Sequence, residues 1–256
     1  MREGNRVLIT GATSGIGLAF AERLASEGFD LIMTGRRREL IESSARNLTE
    51  RYGIATDVVL AELSEEAGVT KVLEAIATAG GLKGLINNAG FGLDGMFAER
   101  DMKEHLAMIR VHVEASLRFI HAALPGMIER RNGFIINVSS LGAYVPAPVN
   151  GIYGGTKAFL NLFTESLHME TRQYGLRVQA LCPGFTLTDF HGRMGMETGK
   201  ISSPFRWMKT ERVVDISLKN LRKGKVLCIP GLSNRLLYGL VRCIPRRLYY
   251  RIFRAR

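Results

Sequence analysis

The chain has 256 residues, of which 46% are hydrophobic and 23% charged, an ordinary composition for a globular protein. It contains no run of about 18 uncharged apolar residues, and its first residues lack the order of a signal peptide, so we expect a cytoplasmic protein without a spanning helix. Neither the three cysteines nor the histidines have metal-like spacing, so the expectation is reduced thiols and no metal site.

The net charge of +11 comes from the C-terminal part of the chain. Eleven of the 35 Lys and Arg residues lie between Ile216 and Arg256, a segment without Asp or Glu, and the other 24 balance the 24 acidic residues. The body is therefore neutral and the tail is basic. No nucleic-acid recognition motif accompanies this charge, so nucleic acid is not an expected partner.

The N-terminal segment has the order strand, glycine-rich turn, helix. Residues 6–10 form a short apolar run, the turn spans Gly11 to Gly17, and an apolar stripe with helical spacing follows and ends near Gly28. Glycines let a backbone approach a ligand closely, and the N–H groups at a helix start attract a pyrophosphate. The pattern predicts a dinucleotide-binding turn.

The second strand, residues 30–33, is followed by Gly35 and three arginines. An acidic residue at this strand end would bind the ribose hydroxyls of NAD, whereas a guanidinium suits a 2′-phosphate. A solvated basic helix start is the alternative, but the helix macrodipole makes three cations unfavourable there. The sequence therefore predicts NADP(H), with Arg36 favoured over Arg37 as the phosphate ligand.

Strands and helices go on alternating along the chain. This alternation predicts an α/β fold, a single-domain Rossmann-type doubly wound parallel sheet of about seven strands. A helix capped by Asp101 and a longer one that stops at Pro125 are predicted in the middle of the chain. Further strands are predicted at 54–60, 84–86, 133–140, 177–182 and 225–230, and further helices at 39–52, 67–79 and 211–221.

The catalytic domain is predicted to span residues 1–232, and a basic amphipathic helical extension, capped by Ser233, residues 233–256. Leu237, Leu240, Val241 and Ile244 follow helical spacing, with Pro245 as an interruption and arginines off the stripe. Two alternatives stay open. The stripe could pack on the body or on another subunit, or it could lie on an anionic membrane surface.

Tyr153 and Lys157 are four residues apart, so on a helix they share one face. A fixed cation favours the phenolate and is expected to lower the tyrosine pKa, which would allow proton transfer near neutrality. Ser140 ends a predicted strand, and ligands of open α/β sheets lie beyond the carboxyl ends of strands. Ser140 is thus expected at the edge of the same site.

Several motifs occur together in one order: Thr10-Gly11-x3-Gly15-x-Gly17, Asn87-Asn-Ala-Gly90, Ser140, Tyr153-x3-Lys157 and Pro183-Gly184. In this the chain resembles the compact branch of the short-chain dehydrogenases/reductases, over roughly residues 5 to 230. The resemblance implies hydride transfer with a nicotinamide cofactor. It also implies that the protein forms homodimers or homotetramers through the long helices that start near Asp101 and Asn150.

The resemblance implies a role for each motif residue. Tyr153 would be the acid or base at the substrate carbonyl oxygen, Lys157 would lower its pKa and hold the nicotinamide ribose, and Ser140 would polarise the carbonyl. Ile16 and Gly17 would face the cofactor phosphates, and Asn88 the nearby backbone. The predicted cofactor contacts are Gly11, Thr13, Ser14, Gly15, Ile16, Gly17, Arg36, Arg37, Glu62, Leu63, Asn88, Ala89, Gly90, Tyr153, Lys157, Pro183, Gly184, Thr186 and Thr188.

The chain departs from the family pattern at two positions. His112 stands where the family usually has an Asn that supports a water-mediated proton path to the lysine. Imidazole could relay protons itself, or its bulk could displace the water. The adenine-contacting pair is Glu62-Leu63 instead of Asp-Leu, which is a milder change.

The substrate lid is expected at residues 189–211, whose Met and aromatic residues favour an apolar pocket, although Phe205 and Trp207 could equally pack the lid on the core. The tail also resembles the basic ends of a subgroup linked with acyl or lipid ketone substrates. The prediction is an NADPH-dependent enzyme that reduces an apolar carbonyl compound, such as a 3-oxoacyl or lipid-like one, or oxidises the corresponding alcohol, by hydride transfer with Tyr153 as general acid or base. The alternative is an NADP-binding regulatory or scaffold protein with little turnover.

Overall fold

The computed structural model describes residues 4–188 and 207–252. Seven parallel strands form one sheet in the order β3-β2-β1-β4-β5-β6-β7. The predicted single-domain doubly wound fold is confirmed. The strands are β1 Arg6–Ile9, β2 Asp30–Gly35, β3 Thr56–Leu60, β4 Leu82–Asn87, β5 Phe134–Val138, β6 Arg177–Leu181 and β7 Leu227–Cys228.

Helices cover both faces of the sheet. They are α1 Gly15–Ser26, α2 Arg38–Tyr52, α3 Glu66–Thr78, α4 Met102–Ile109, α5 Ala115–Glu129, α6 Gly151–Thr171, α7 Thr210–Arg222, α8 Leu232–Cys243 and α9 Arg246–Ile252, with a π-helical turn, Arg110–Glu114, between α4 and α5. Within the described ranges, no helix is long and apolar enough to cross a bilayer.

Each strand contributes side chains to two cores because successive residues point to opposite faces. In β1, Val7 and Ile9 pack with α1, α2 and α7, whereas Leu8 packs with α3 and α5. Burial on both faces explains why the predicted strands are continuous apolar runs. The chain order reverses between β1 and β4, so the loops that follow these two strands open a crevice at the carboxyl edge of the sheet.

Two predicted helix boundaries are wrong and one is confirmed. α5 does not stop at Pro125 but continues to Glu129, because its last turns bury Ala123 and Met127 in the core. α8 begins at Leu232, so Ser233 is not its cap. Asp101 caps α4 as predicted, since its Oδ1 accepts the N–H of Lys103 at 2.9 Å.

The predicted lid lies largely outside the described residues, which omit 189–206 and with them Phe205. The described residues begin again at Trp207. The centroids of the Trp207 and Phe185 rings lie 5.2 Å apart. Met208 donates its N–H to the carbonyl of Phe185 at 3.0 Å. The end of the lid segment is therefore fixed to the loop that follows β6.

Gly17 allows α1 to approach two loops closely. A Cβ at this position would lie 2.3 Å from the Gly11 carbonyl oxygen and 2.4 Å from Asn88 Nδ2. Only a residue without a side chain fits such an approach. Gly17 is thus a packing residue at the crevice.

We expect Gly17→Ala to lower the free energy of unfolding by about 1–3 kcal/mol, because the added methyl overpacks the contact with Gly11 and Asn88. Urea denaturation measures this change. Gly239→Ala in α8 is the matched control, since its Cβ would meet nothing within 4 Å. That variant should be neutral or stabilised, because Ala is the better helix former; equal effects in both variants would contradict the packing role of Gly17.

Candidate functional site

One cleft lies along the carboxyl ends of the strands, and it contains all the predicted cofactor contacts except Gly17. Most of the lining residues that the sequence did not reveal end a strand or come shortly after one. Because ligands of open α/β sheets bind beyond the carboxyl ends of strands, these positions could have been predicted. Val111 lies in the π-helical turn, and no sequence signal marks it. The missed lining residues are Thr34, Gly35, Ala61, Phe91, Gly92, Val111, Val138 and Ser139.

The glycine-rich turn has the backbone that a dinucleotide cradle requires. Gly11 and Gly15 adopt φ values of +67° and +59°, which favour glycine. A Cβ on Gly11 would lie 2.9 Å from Ala89 Cα, so this glycine also brings the two loops together. Ser14 precedes α1 without capping it by its side chain, which leaves the N–H groups of the first turn available to an anion.

Hydrogen bonds join the loop after β4 to this turn. The Asn88 and Ala89 N–H groups both donate to Thr10 Oγ1 at 2.9 Å, and Asn88 Nδ2 donates to the carbonyls of Thr10 and Gly11 at 2.9 and 3.1 Å. The Asn88 side chain thus holds the backbone of Thr10 and Gly11 in place. The two loops at the switch point of the sheet form one rigid unit.

Two arginines lie at the adenosine end of the cleft. Arg37 Nη2 donates to the hydroxyls of Thr13 and Ser14, both at 2.9 Å. Arg36 Nη1 contacts Glu62 Oε2 at 2.8 Å and its side chain is more than half exposed. Two guanidinium groups beside two hydroxyls are suited to a phosphate.

Glu62 holds Arg36 across this end of the cleft. Burial acts to raise the pKa of the Glu62 carboxyl, but hydrogen bonds from Arg36 and Ser64 outweigh it and hold the pKa below its ordinary value. The carboxylate is therefore charged at neutral pH and paired with Arg36. A phosphate at Arg36 would have to share this guanidinium with Glu62.

The end of β5 and the start of α6 bring the predicted proton-transfer residues together. Ser140 follows β5, and its Oγ accepts the N–H of Gly142 at 3.0 Å. A Cβ on Gly142 would lie 3.3 Å from Ser140 Oγ and 3.5 Å from Tyr153 Cε1, so both side chains lie against Gly142. Lys157 is buried, donates from Nζ to the carbonyl of Val138 at 2.8 Å and lies 5.8 Å from the centre of the Tyr153 ring.

The ionisation of this pair differs from the expectation based on spacing. Burial raises the pKa of Tyr153, and the hydrogen bond with Ser140 only partly opposes this. Burial also lowers the pKa of Lys157 to about 8, which weakens it as a cation. The expected lowering of the Tyr153 pKa is therefore wrong for this structure, because desolvation disfavours both charged forms. Tyr153 is a neutral phenol at neutral pH.

His112 lies just behind the cleft in the π-helical turn and is 1% exposed. Its Nε2 accepts the Phe91 N–H at 3.0 Å, so Nδ1 carries the proton and donates to Thr156 Oγ1 at 2.9 Å. Thr156 in turn donates to the carbonyl of Tyr153 at 2.8 Å. Burial and the charge of Lys157 hold the pKa of His112 well below its ordinary value. Both ring nitrogens are thus engaged in a neutral imidazole.

The comparisons with known proteins agree with this geometry. The family described as short chain dehydrogenase matches residues 5–198. The chain is 37% identical over 187 residues to Sulfoacetaldehyde reductase 2 of Chromohalobacter salexigens, covering 72% of this chain and 73% of that one. It is 31% identical over 210 residues to Very-long-chain 3-oxoacyl-CoA reductase of Anas platyrhynchos, covering 78% and 63%.

Among solved structures, the Short-chain dehydrogenase from Sphingobium yanoikuyae in complex with NADPH superposes with a TM-score of 0.84 at 29% identity, covering 94% of this chain and 96% of that one. The chain spans only 56 to 63% of the length of the animal and fungal relatives that it matches. The family match, the parallel sheet and the grouped site residues lead to one conclusion: this chain is an oxidoreductase of the short-chain dehydrogenase family.

Proposed function

We propose that the protein uses NADPH to reduce the carbonyl of an apolar substrate, such as a 3-oxoacyl or lipid-like compound, or catalyses the reverse oxidation. The observation that carries this proposal is that Ser140 and Tyr153 line the same cleft as the predicted cofactor residues. Both hydroxyls would then meet one carbonyl oxygen.

The residues of the cleft fit a dinucleotide phosphate. The glycine turn and the uncapped start of α1 would hold its pyrophosphate, and Arg36 and Arg37 its 2′-phosphate. Lys157 lies beside Tyr153 and would hold the nicotinamide ribose. The bound cofactor supplies the hydride, while the protein supplies position and the proton.

Tyr153 is suited to give a proton to a carbonyl oxygen, because its raised pKa keeps the phenol protonated at neutral pH. Ser140 would donate a hydrogen bond to the same oxygen and stabilise the charge that develops there. In the reverse direction Tyr153 would accept the proton from an alcohol. The protonated phenol is the form that the reduction requires.

Two observations support an apolar substrate. Phe185, in the loop after β6, forms an aromatic pair with Trp207. The residues on either side of Phe185, Gly184 and Thr186, line the cleft. The duck relative is named a reductase of very-long-chain 3-oxoacyl-CoA. The bacterial relative is named a reductase of sulfoacetaldehyde, so a small polar aldehyde belongs in the same assay panel.

Self-association and a cytoplasmic location remain proposals. The helices α4 and α6 carry exposed apolar side chains that a homodimer or homotetramer would cover. These side chains are Leu106, Ile109, Phe159, Leu162 and Met169.

Tyr153→Phe should lower turnover by at least about two orders of magnitude, the usual contribution of a general acid. Reduction of a panel of ketones and aldehydes is followed by nicotinamide absorbance. Tyr250→Phe, an exposed tyrosine of α9, is the control and should keep full activity. Near-normal turnover in the Tyr153 variant would refute the mechanism. A wild-type protein that binds NADPH but reduces nothing in the panel would favour the scaffold alternative.

Arg36→Ala should weaken NADPH binding by roughly tenfold to a hundredfold, the value of a charged hydrogen bond of about 1.5–3 kcal/mol, and leave NADH binding nearly unchanged. Cofactor fluorescence titration measures both affinities. Arg38→Ala is the matched control, because Arg38 pairs with Glu42 and is exposed at the same helix start. Equal losses for NADPH and NADH would reject the 2′-phosphate role of Arg36.

In this proposal His112 is a neutral group that links α6 to the loop containing Phe91. It does not relay protons, because its Nε2 accepts a hydrogen bond from the Phe91 amide, which cannot release its proton. Since its folded pKa is depressed, its stabilising contribution is complete above the unfolded pKa of about 6.5 and is lost as the pH falls further.

The free energy of unfolding should therefore fall between about pH 7.5 and about pH 5.5 more steeply in the wild type than in His112→Asn. The difference in slope is at most about 1.4 kcal/mol per pH unit, the limit for one proton. Urea denaturation at several pH values measures it. The same pH dependence in both proteins would contradict a buried neutral imidazole.

A further inference from the structure

The two C-terminal helices, α8 and α9, present one face to the body and another to solvent. Leu237 and Tyr238 pack against a small core that contains Cys182 and Ile229. Tyr249 is 1% exposed, and its hydroxyl donates to the Pro146 carbonyl at 2.7 Å. Of the alternatives that the sequence left open, packing on the body thus describes this inner face.

The outer face of α8 carries a leucine stripe, which consists of Leu232, Leu236 and Leu240. These leucines are 61–66% exposed and recur every four residues, so they lie on one side of the helix. The sequence pattern had placed Leu240 with Val241 on a single stripe, but only Val241 is buried. α9 adds more exposed apolar side chains, namely Leu248, Tyr250 and Ile252. Exposed apolar side chains grouped in this way mark an interaction site.

The charged side chains of α8 and α9 are all of one sign. α8 and α9 carry five exposed arginines, Arg235, Arg242, Arg246, Arg247 and Arg251, and no acidic residue lies between Ile216 and Arg256. At 100° per residue, Arg235 and Arg242 flank the stripe on one side of α8. The partner of this face must therefore offer both apolar contact and negative charge.

A second copy of this chain does not meet that requirement in a symmetric dimer. A two-fold interface places the same patch of both subunits together, so arginines would meet arginines. A lipid surface with anionic headgroups does meet it. Leucine and tyrosine side chains enter the boundary between headgroups and acyl chains, while arginines reach the phosphates.

We propose that the leucine stripe and the arginines of α8 and α9 bind the surface of an anionic lipid bilayer. This inference goes beyond the proposed function and does not depend on it. It also has a consequence for the site, because α8 and α9 contact the segment between Ser140 and Tyr153. The rings of Tyr238 and Tyr144 lie 4.6 Å apart between centroids. A bilayer bound at this face would hold that side of the cleft close to lipid.

Co-sedimentation with vesicles tests the proposal. Vesicles of equal parts phosphatidylserine and phosphatidylcholine should bind the wild-type protein, and pure phosphatidylcholine vesicles should bind it far more weakly. Binding should weaken at high salt, because screening acts on exposed charges. Failure of the wild type to sediment with the anionic vesicles would overturn the proposal.

The triple variant Arg246→Gln, Arg247→Gln, Arg251→Gln should bind vesicles roughly a hundredfold more weakly. Each arginine contributes about 1 kcal/mol near an anionic surface, and each 1.4 kcal/mol changes the affinity about tenfold. The matched control removes three exposed arginines elsewhere. This variant combines Arg46→Gln, Arg51→Gln and Arg172→Gln, and it should bind nearly as the wild type does. Equal losses in the two variants would show a nonspecific charge effect and contradict the assigned face.

Replacement of all three residues of the leucine stripe by Gln should weaken binding at least about a hundredfold, since burial of each leucine contributes more than 1 kcal/mol. Leu40→Gln with Met102→Gln, two other exposed apolar residues, is the control and should bind as the wild type does. NADPH affinity and circular dichroism show that each variant is folded.

Light scattering gives the mass of each variant. If the stripe variant lowered the mass while vesicle binding stayed at the wild-type level, the face would be a subunit interface and the proposal would be wrong. Loss of vesicle binding at unchanged mass and unchanged circular dichroism is the supporting result. That result stands whether or not any carbonyl substrate is found.

Discussion

The buried ammonium of Lys157 is the constraint on which the geometry of the site depends. It donates to the carbonyl of Val138, the last residue of β5, and Ser139 Oγ donates back to the carbonyl of Lys157 at 2.9 Å. These two bonds fix α6 to the end of β5. A buried ammonium without such a partner would be strongly destabilising, so this register is well determined. Ser140 and Tyr153 are neighbours because of it.

The switch point of the sheet adds the cofactor side to this arrangement. β1 and β4 are adjacent although three helices and two strands separate them in sequence, and Asn88 joins the loops that follow them by its side-chain amide. Behind these loops, His112 joins the loop after β4 to the second turn of α6. The glycine-rich turn and the proton-transfer residues are thus connected by hydrogen bonds. A shift of the loop after β4 would therefore also displace the groups bonded to it in the turn and in α6.

The C-terminal helices complete the opposite wall. Asn234 fills the space beside Gly184, where a Cβ would lie 2.5 Å from its Oδ1, and Tyr249 holds the segment before α6 through Pro146. These contacts are internal to the fold, whereas the leucine stripe faces away from it. One short helix therefore serves both the site wall and an outward surface, which is why its sequence is apolar on more than one side.

The sequence by itself determined the fold class and most of the cleft. Strand alternation, the glycine spacing and the polar residues at strand ends are local patterns, and the carboxyl edge of a parallel sheet brings strand ends together whatever lies between them. Arg36, Ser140, Tyr153 and Lys157 could be assigned to one site for that reason.

Only the tertiary structure decided properties that depend on what surrounds a side chain. The ionisation of Tyr153 follows from its burial, which spacing to Lys157 does not reveal. The neutral state of His112 follows from its burial and from the charge of Lys157, and its contacts with Phe91 and Thr156 fix the tautomer. Likewise the tail pattern showed that α8 is amphipathic, but only its packing against the body decided that Val241 is buried while Leu240 faces solvent. Periodicity reports which residues share a face, and the neighbouring elements decide what that face touches.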